Sequence, residues 1–214
     1  MEPTNFDINF LKKGKFTSNE IKNLVLYFID NYVKLRVEFI KGHNYDSFTF
    51  DFIENGDYEV EDIVLNKDNF YDIIEKNIIR DIYVDINNFC KLHIYIGFLD
   101  HEIDINISKI SFYYDLKMGY EDIFYYLGDN IFKSIEVLNP DNANFGLSTS
   151  PVLLSEIKKG VTIGEYLFLN NAHIKYESLR NCLHQLDGIK LRNGYIFYVN
   201  DNEDLISQIV NIKD

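Results

Sequence analysis

Tryptophan is absent from this 214-residue chain, proline occurs three times and cysteine twice. With so few prolines the helices and strands meet few enforced breaks and are expected to be long. Ring packing then falls to 16 Tyr and 17 Phe. Cys90 and Cys182 lie far apart, so the chain has neither a closely spaced metal or redox pair nor the material for a disulfide framework. Both are expected to be reduced structural thiols. No segment approaches the run of about 18 to 20 apolar residues that spans a bilayer, and the opening MEPTNFDINFLKKGKF has no apolar signal core. The expectation is a cytoplasmic protein with no membrane partner.

Bases are scarce as well. Against 34 Asp and Glu there are 21 Lys and Arg, a formal net charge of −13. Such a surface repels nucleic acid and attracts basic proteins. The excess is uneven: residues 41–106 hold fifteen acids and five bases, residues 140–214 nine and seven. The signatures of common chemistries are missing too. The chain has no G-x-G-x-x-G, no phosphate loop and no G-x-S-x-G, and His101-Glu102 lacks the second histidine of H-E-x-x-H. Cys182 and His184 stand two apart on an expected helix, where their side chains diverge.

What is present is alternation. From Asp81 to Ser108, Ile82, Val84 and Ile86 oppose Asp81, Tyr83 and Asp85; Leu92, Ile94, Ile96 and Phe98 oppose Lys91, His93 and Tyr95; Ile103, Ile105 and Ile107 oppose Glu102, Asp104 and Asn106. A period of two marks strands with one buried face. Polar breaks at Asn87-Asn88 and Asp100-His101 suit hairpins. The expected product is an antiparallel meander with one wet face, followed by a last strand through Ile110 to Tyr114.

Around it, Thr17 and Glu20 form a capping box for a helix over about 18–35, and residues 1–16 read as an extension. Strands are expected at 36–40, at 47–52 with Phe48, Phe50 and Phe52 inward, and at EDIVL; a helix is expected over 66–79. Ile123, Tyr126, Leu127, Ile131 and Ile135 mark another helix. NPDNANFGLSTSP reads as an exposed loop, with Ser150-Pro151 opening a short helix that Gly160 ends. A strand at TIGEYLFLN, a helix at YESLRNCLHQL, a hairpin at Asn193-Gly194 and a closing helix complete the chain. The class is α+β, a mostly antiparallel sheet meander packed against several helices. It is read as a single domain over 1–214, with 1–138 and 139–214 as sub-halves should it divide.

The wet meander face supplies the candidate partner-binding residues: Asp81, Tyr83, Asp85, His93, Tyr95, Glu102 and Asp104. Tyrosines set among acids offer contact area together with charge. No catalytic residue, metal ligand or cofactor is assigned.

The segment from Asn139 to about Val199, through NPDNANFGLSTS, LLSEI, TIGEYLFL and LDGIKLRNGYIFYV, resembles small α+β immunity proteins of bacterial polymorphic-toxin systems, most nearly the immunity protein 52 family. The resemblance implies a cytoplasmic protein that neutralises one cognate toxin by binding it, without cofactor or turnover. The expected function is thus a non-catalytic acidic binder of a basic protein partner, with no direct contact to nucleic acid. Two alternatives stay open: a phage or mobile-element inhibitor whose carboxylates imitate nucleic-acid charge, and a metal-dependent enzyme using Asp81, Asp85, Glu102 and Asp104.

Overall fold

Residues expected as an N-terminal extension form a strand, β1 (Thr4–Lys13), in which Phe6, Ile8 and Phe10 are fully buried. The alternation is carried by FDINFL, and its ring-rich side is what takes the segment out of water. The computed structural model describes residues 4–32, 35–43, 58–87, 90–99, 107–117, 123–147, 149–162, 164–182, 184–199 and 202–212. The chain divides into two units: Met1–Thr4 with Lys13–Gly119, and Asn5–Lys12 with Tyr120–Asp214. Both are antiparallel α+β assemblies, the class expected from the sequence.

In the first unit, helix α1 (Ser18–Asn31) starts at the expected box: Thr17 accepts from the Glu20 backbone N–H at 3.2 Å while its own N–H donates to Glu20 Oε2 at 2.8 Å. Such a cap contributes about 1 kcal/mol. Its stripe of Ile21, Leu24, Val25, Phe28 and Ile29 is buried, and Phe28 meets Phe112 edge-on at 6.2 Å. Strands β2 (Leu35–Lys41) and β3 (Val60–Leu65) follow. Helix α2 (Phe70–Lys76) is shorter than expected. Asn77 ends it by donating to the Ile73 carbonyl at 2.9 Å, and Ile78 and Ile79 then pair with Ile40 and Phe39 in strand β4 (Asn77–Asn87).

Strands β4, β5 (Cys90–Leu99) and β6 (Ile107–Leu116) make the expected meander, and the strand order is β3-β2-β4-β5-β6. Ile82, Val84, Leu92, Ile94 and Ile96 are buried as the alternation required. The pairing partner of β5 differs from the one expected. Leu99 sits opposite Ile107 and Ile94 opposite Phe112, so the third strand is residues 107–116 and a two-residue hairpin at Asp100-His101 is overturned. Packing of Phe112 and the fully buried Tyr114 on the core side sets that register. Phe48, Phe50, Phe52, Phe98, Glu102, Ile103, Asp104 and Ile105 lie outside the residues whose side chains are described.

In the second unit the order is β1-β7-β8-β10-β9, with β7 (Asn142–Leu147), β8 (Tyr166–Asn170), β9 (Gly188–Lys190) and β10 (Gly194–Tyr198). Helix α3 (Ile123–Leu138) buries Ile123, Leu127, Ile131 and Ile135, and its Phe124 ring meets Tyr166 at 4.7 Å. On the other sheet face Leu167, Leu169 and Phe197 form a cluster with Ile157 of α4 (Leu154–Ile157), Leu179 of α5 (Tyr176–Cys182), and Ile206 and Ile209 of α6 (Glu203–Ile209). Both cysteines are free and buried.

The stretch expected as an exposed loop is the main correction here. Residues 142–146 are buried in β7, and Asn142 and Asn144 project from it at 2% and 1% exposure. Asn9 of β1, paired with Asn144, is equally buried. Their amides donate to the carbonyls of an extended strap: Asn9 to Thr149 at 3.2 Å, Asn144 to Ser150 at 2.6 Å and Asn142 to Val152 at 2.7 Å. The strap holds residues 150–152 out of the helix that Ser150-Pro151 would have opened. Helix α4 therefore starts at Leu154, with the Leu153 N–H donating to Glu156 Oε2 at 2.8 Å. Gly160, at φ +84°, follows it as expected.

Candidate functional site

On the face of the first unit's sheet away from α1, the register aligns side chains in rows across four strands. One row is Arg36, Tyr83, His93 and Tyr113; the next is Glu38, Asp81, Tyr95 and Ser111. Adjacent strands lie about 4.8 Å apart, a spacing that suits stacked planar groups. Arg36 places its guanidinium carbon 4.0 Å from the Tyr83 ring centre. The Tyr83 and His93 rings stack at 4.5 Å with 8° between their planes, and Tyr113 lies 5.6 Å beyond, tilted by 35°. Four π groups therefore run across the sheet.

Beneath the row sits Asp81, expected to face water but only 4% exposed. His93 donates through Nε2 to its Oδ1 at 2.7 Å, and Arg80 Nε donates to its Oδ2 at 2.8 Å. Neighbours in a regular strand point to opposite faces, so this contact needs an irregularity. Glu38 pairs with Asp81 while Phe39 pairs with Ile79, which makes Arg80 the extra residue of a β-bulge. The bulge turns Arg80 toward Asp81 and brings its guanidinium to 4.0 Å from Glu38.

Burial works to raise the Asp81 pKa. The hydrogen bonds from His93 and Arg80, with the Arg80 charge, outweigh it and hold the carboxyl below its ordinary value. The Asp81 hydrogen bond raises Arg80 in turn. Burial, then the charges of Asp81 and Glu38, push the Tyr83 phenol up, and burial dominates the same shift at Tyr95. The row is thus flanked by protonated phenols over a fixed carboxylate. Tyr95 folds its ring back over Gly97, where an added Cβ would stand 2.5 Å from a ring carbon.

Of the seven residues read from the sequence, Asp81, Tyr83, His93 and Tyr95 come together. Asp81 does so as a buried support and not as a surface acid. Asp85 is at the exposed rim, 3.8 Å from Lys91. Glu102 and Asp104 lie outside the described residues. Sequence reasoning missed Arg36, Arg80 and Tyr113. Arg36 and Tyr113 were within reach, since both alternate with buried neighbours in LRVEF and SFYYD. Nothing in the sequence announces the bulge that recruits Arg80.

Asp81 and His93 have the geometry of a carboxylate orienting an imidazole. Among the described residues no Ser, Thr or Cys is hydrogen-bonded to His93, and burial with the charge of Asp115 pushes the Cys90 thiol up to about 12. Among those residues, too, no group of three or more His, Cys, Asp and Glu is placed to hold a metal ion. A cleft of about 410 Å³ beside the end of α1 is spanned by Lys67 and Asp30 at 2.6 Å, with Asp68 also in its lining. No described helix is long and apolar enough to cross a membrane.

The chain matches no protein-family model and no curated protein sequence. Among solved structures, the Pseudomonas aeruginosa T6SS protein PA0821 is similar over 91% of this chain and 69% of its own, at 8% identity and a TM-score of 0.42. Likeness at that level carries no functional weight.

Proposed function

We propose that this chain is a non-catalytic binding protein of the immunity kind, which silences a basic bacterial toxin by forming a one-to-one complex in the cytoplasm. The observation that carries the proposal is the row of Arg36, Tyr83, His93 and Tyr113, a preformed aromatic surface on a sheet of a chain with net charge −13. Rigid aromatic groups give contact area at low entropic cost, and the surrounding charge accelerates encounter with a basic partner. The sequence resemblance between Asn139 and about Val199 supports the choice of an immunity protein, immunity protein 52 being the nearest likeness.

Binding is then a matter of complementary charge outside and ring contact at the centre. Exposed acids such as Asp85 set the association rate, while His93 and its flanking tyrosines set the lifetime of the complex. The test uses the product of the neighbouring toxin gene. Titration calorimetry should give one site, and stopped-flow mixing should give an association rate that falls steeply with salt, since exposed charges are screened over about 10 Å at 0.1 M. A rate indifferent to salt, or no complex at all, would remove the proposal.

A further inference from the structure

We propose that the outer edge of β9 is a docking site for an extended segment of a protein partner, one that alternates acidic with apolar residues and binds by strand addition. The surface belongs to the second unit and uses none of the polar-face residues of the first, so it stands independently of the binding reading above.

Among the described residues β9 ends the strand order, with β10 on one side and no strand on the other. All three of its residues, Gly188–Lys190, are exposed. The ladder decides which backbone groups face outward. The Leu191 N–H donates to the Gly194 carbonyl at 2.8 Å and the Tyr198 N–H to the Asp187 carbonyl at 3.1 Å, so Asp187, Ile189 and Leu191 turn their polar groups toward β10. In an antiparallel pair the intervening residues turn theirs away. Gly188 and Lys190 therefore each present an N–H and a carbonyl outward, at the spacing that an added strand meets.

The edge is held still. The Asn171 N–H donates to the Asn193 carbonyl at 2.8 Å, the Asn171 side-chain amide to the Arg192 carbonyl at 3.1 Å, and the Asn193 amide to the Ile135 carbonyl at 3.0 Å. With the turn between β9 and β10 pinned in this way, the ordering cost of docking falls on the incoming segment.

Charge selects the occupant. Residues 188–199 contain Lys190 and Arg192 and no Asp or Glu, in a chain of net charge −13. Neither cation takes part in a salt bridge among the described residues. A lysine on an edge strand ordinarily keeps other strands away; it repels basic ones and desolvates poorly against apolar ones, but it complements an acidic one. Ile189 is 40% exposed and alternates with Lys190, so the two project to opposite faces. An apolar partner residue covers Ile189, while the acids on either side of it meet Lys190 and pass over Gly188, which has no side chain to obstruct them.

The experiment titrates three peptides into the full-length protein, read by the backbone amide NMR signals and hydrogen exchange of Gly188 and Lys190. One alternates Glu with Val between terminal glycines, the second has Lys in place of Glu, and the third is the Glu peptide methylated on the backbone nitrogen of every glutamate. At these two amides the Glu peptide should bind about tenfold more tightly than either of the others, and it should slow their exchange. Lys190→Glu, at an exposed position that leaves the fold intact, should reverse the order of the Glu and Lys peptides at this edge. Equal binding of the Glu peptide and its methylated form would mean a coulombic contact without strand addition and would overturn the inference, as would shifts confined to residues remote from β9. Concentration-dependent broadening of the same amides without peptide would make a second copy of the chain the occupant and would equally overturn it.

Discussion

His93 Nε2 and Asp81 Oδ1 lie 2.7 Å apart across β4 and β5, and this bond joins a buried carboxylate to a ring about one third exposed. It divides the residues of the polar face into those that touch a partner and those that hold the contacting groups still. Asp81 is of the second kind, and the consequences can be measured.

Asp81→Ala leaves Arg80 and His93 facing an empty site. Both are about one third exposed, so water recovers part of the loss, and the expected cost is about 1–3 kcal/mol in urea denaturation. Asp85→Asn, at the rim, should stay within about 0.5 kcal/mol. Equal effects from the two variants would mean that Asp81 is not buried as described.

The pH dependence has a definite sign. The Asp81 pKa is lowered from 3.8 on folding, so its contribution is fully present above that value and is lost as the pH falls through the lower folded value. Denaturation midpoints of the parent and of Asp81→Asn should therefore run parallel above about pH 4.5 and converge in stronger acid. A difference that grows on acidification would give the shift the opposite sign.

In the core, Ile94 is fully buried between Ile82 and Phe112 on the neighbouring strands. Ile94→Ala should cost about 2–5 kcal/mol by equilibrium denaturation. A loss well under 1 kcal/mol, the scale expected of an exposed site, would place Ile94 on the wet face and invert the register of the meander.

The strap over β7 depends on three amides. Asn144→Ala leaves the Ser150 carbonyl without its donor and should destabilise by about 1–3 kcal/mol. Asn144→Asp should cost more, because a carboxylate would face that carbonyl. Indifference to both substitutions, measured by thermal unfolding, would show that the strap is not held there.

Much of the first unit was legible because alternation is a local signal: Ile82, Val84, Leu92, Ile94 and Ile96 are buried, and Tyr83 and His93 share the opposite face. The capping box at Thr17 was equally plain, being confined to four residues. What failed were decisions made by distant partners. Asn142 and Asn144 look like turn residues until Asn9, far away in sequence, gives them a sheet neighbour and residues 149–152 give them acceptors. β6 pairs with β5 in a register set by Phe112 and Tyr114, whose core contacts are not visible from the strands before them. The candidate site was found as a face and not as a mechanism. Asp81 was read as a surface acid because the period of two places it opposite Ile82, and the bulge at Arg80 buries it under a guanidinium and an imidazole.

The central claim is that the chain acts by occupying its partner. The most direct measurement is residual toxin activity as the protein is added in steps, with the concentrations of both fixed by absorbance. Activity should fall in a straight line and vanish at one equivalent, and replacing Tyr83, His93 and Tyr113 together by Ala should abolish protection while the variant still folds. Complete silencing by a small fraction of an equivalent, with chemically altered toxin recovered afterwards, would mean turnover and contradict the account.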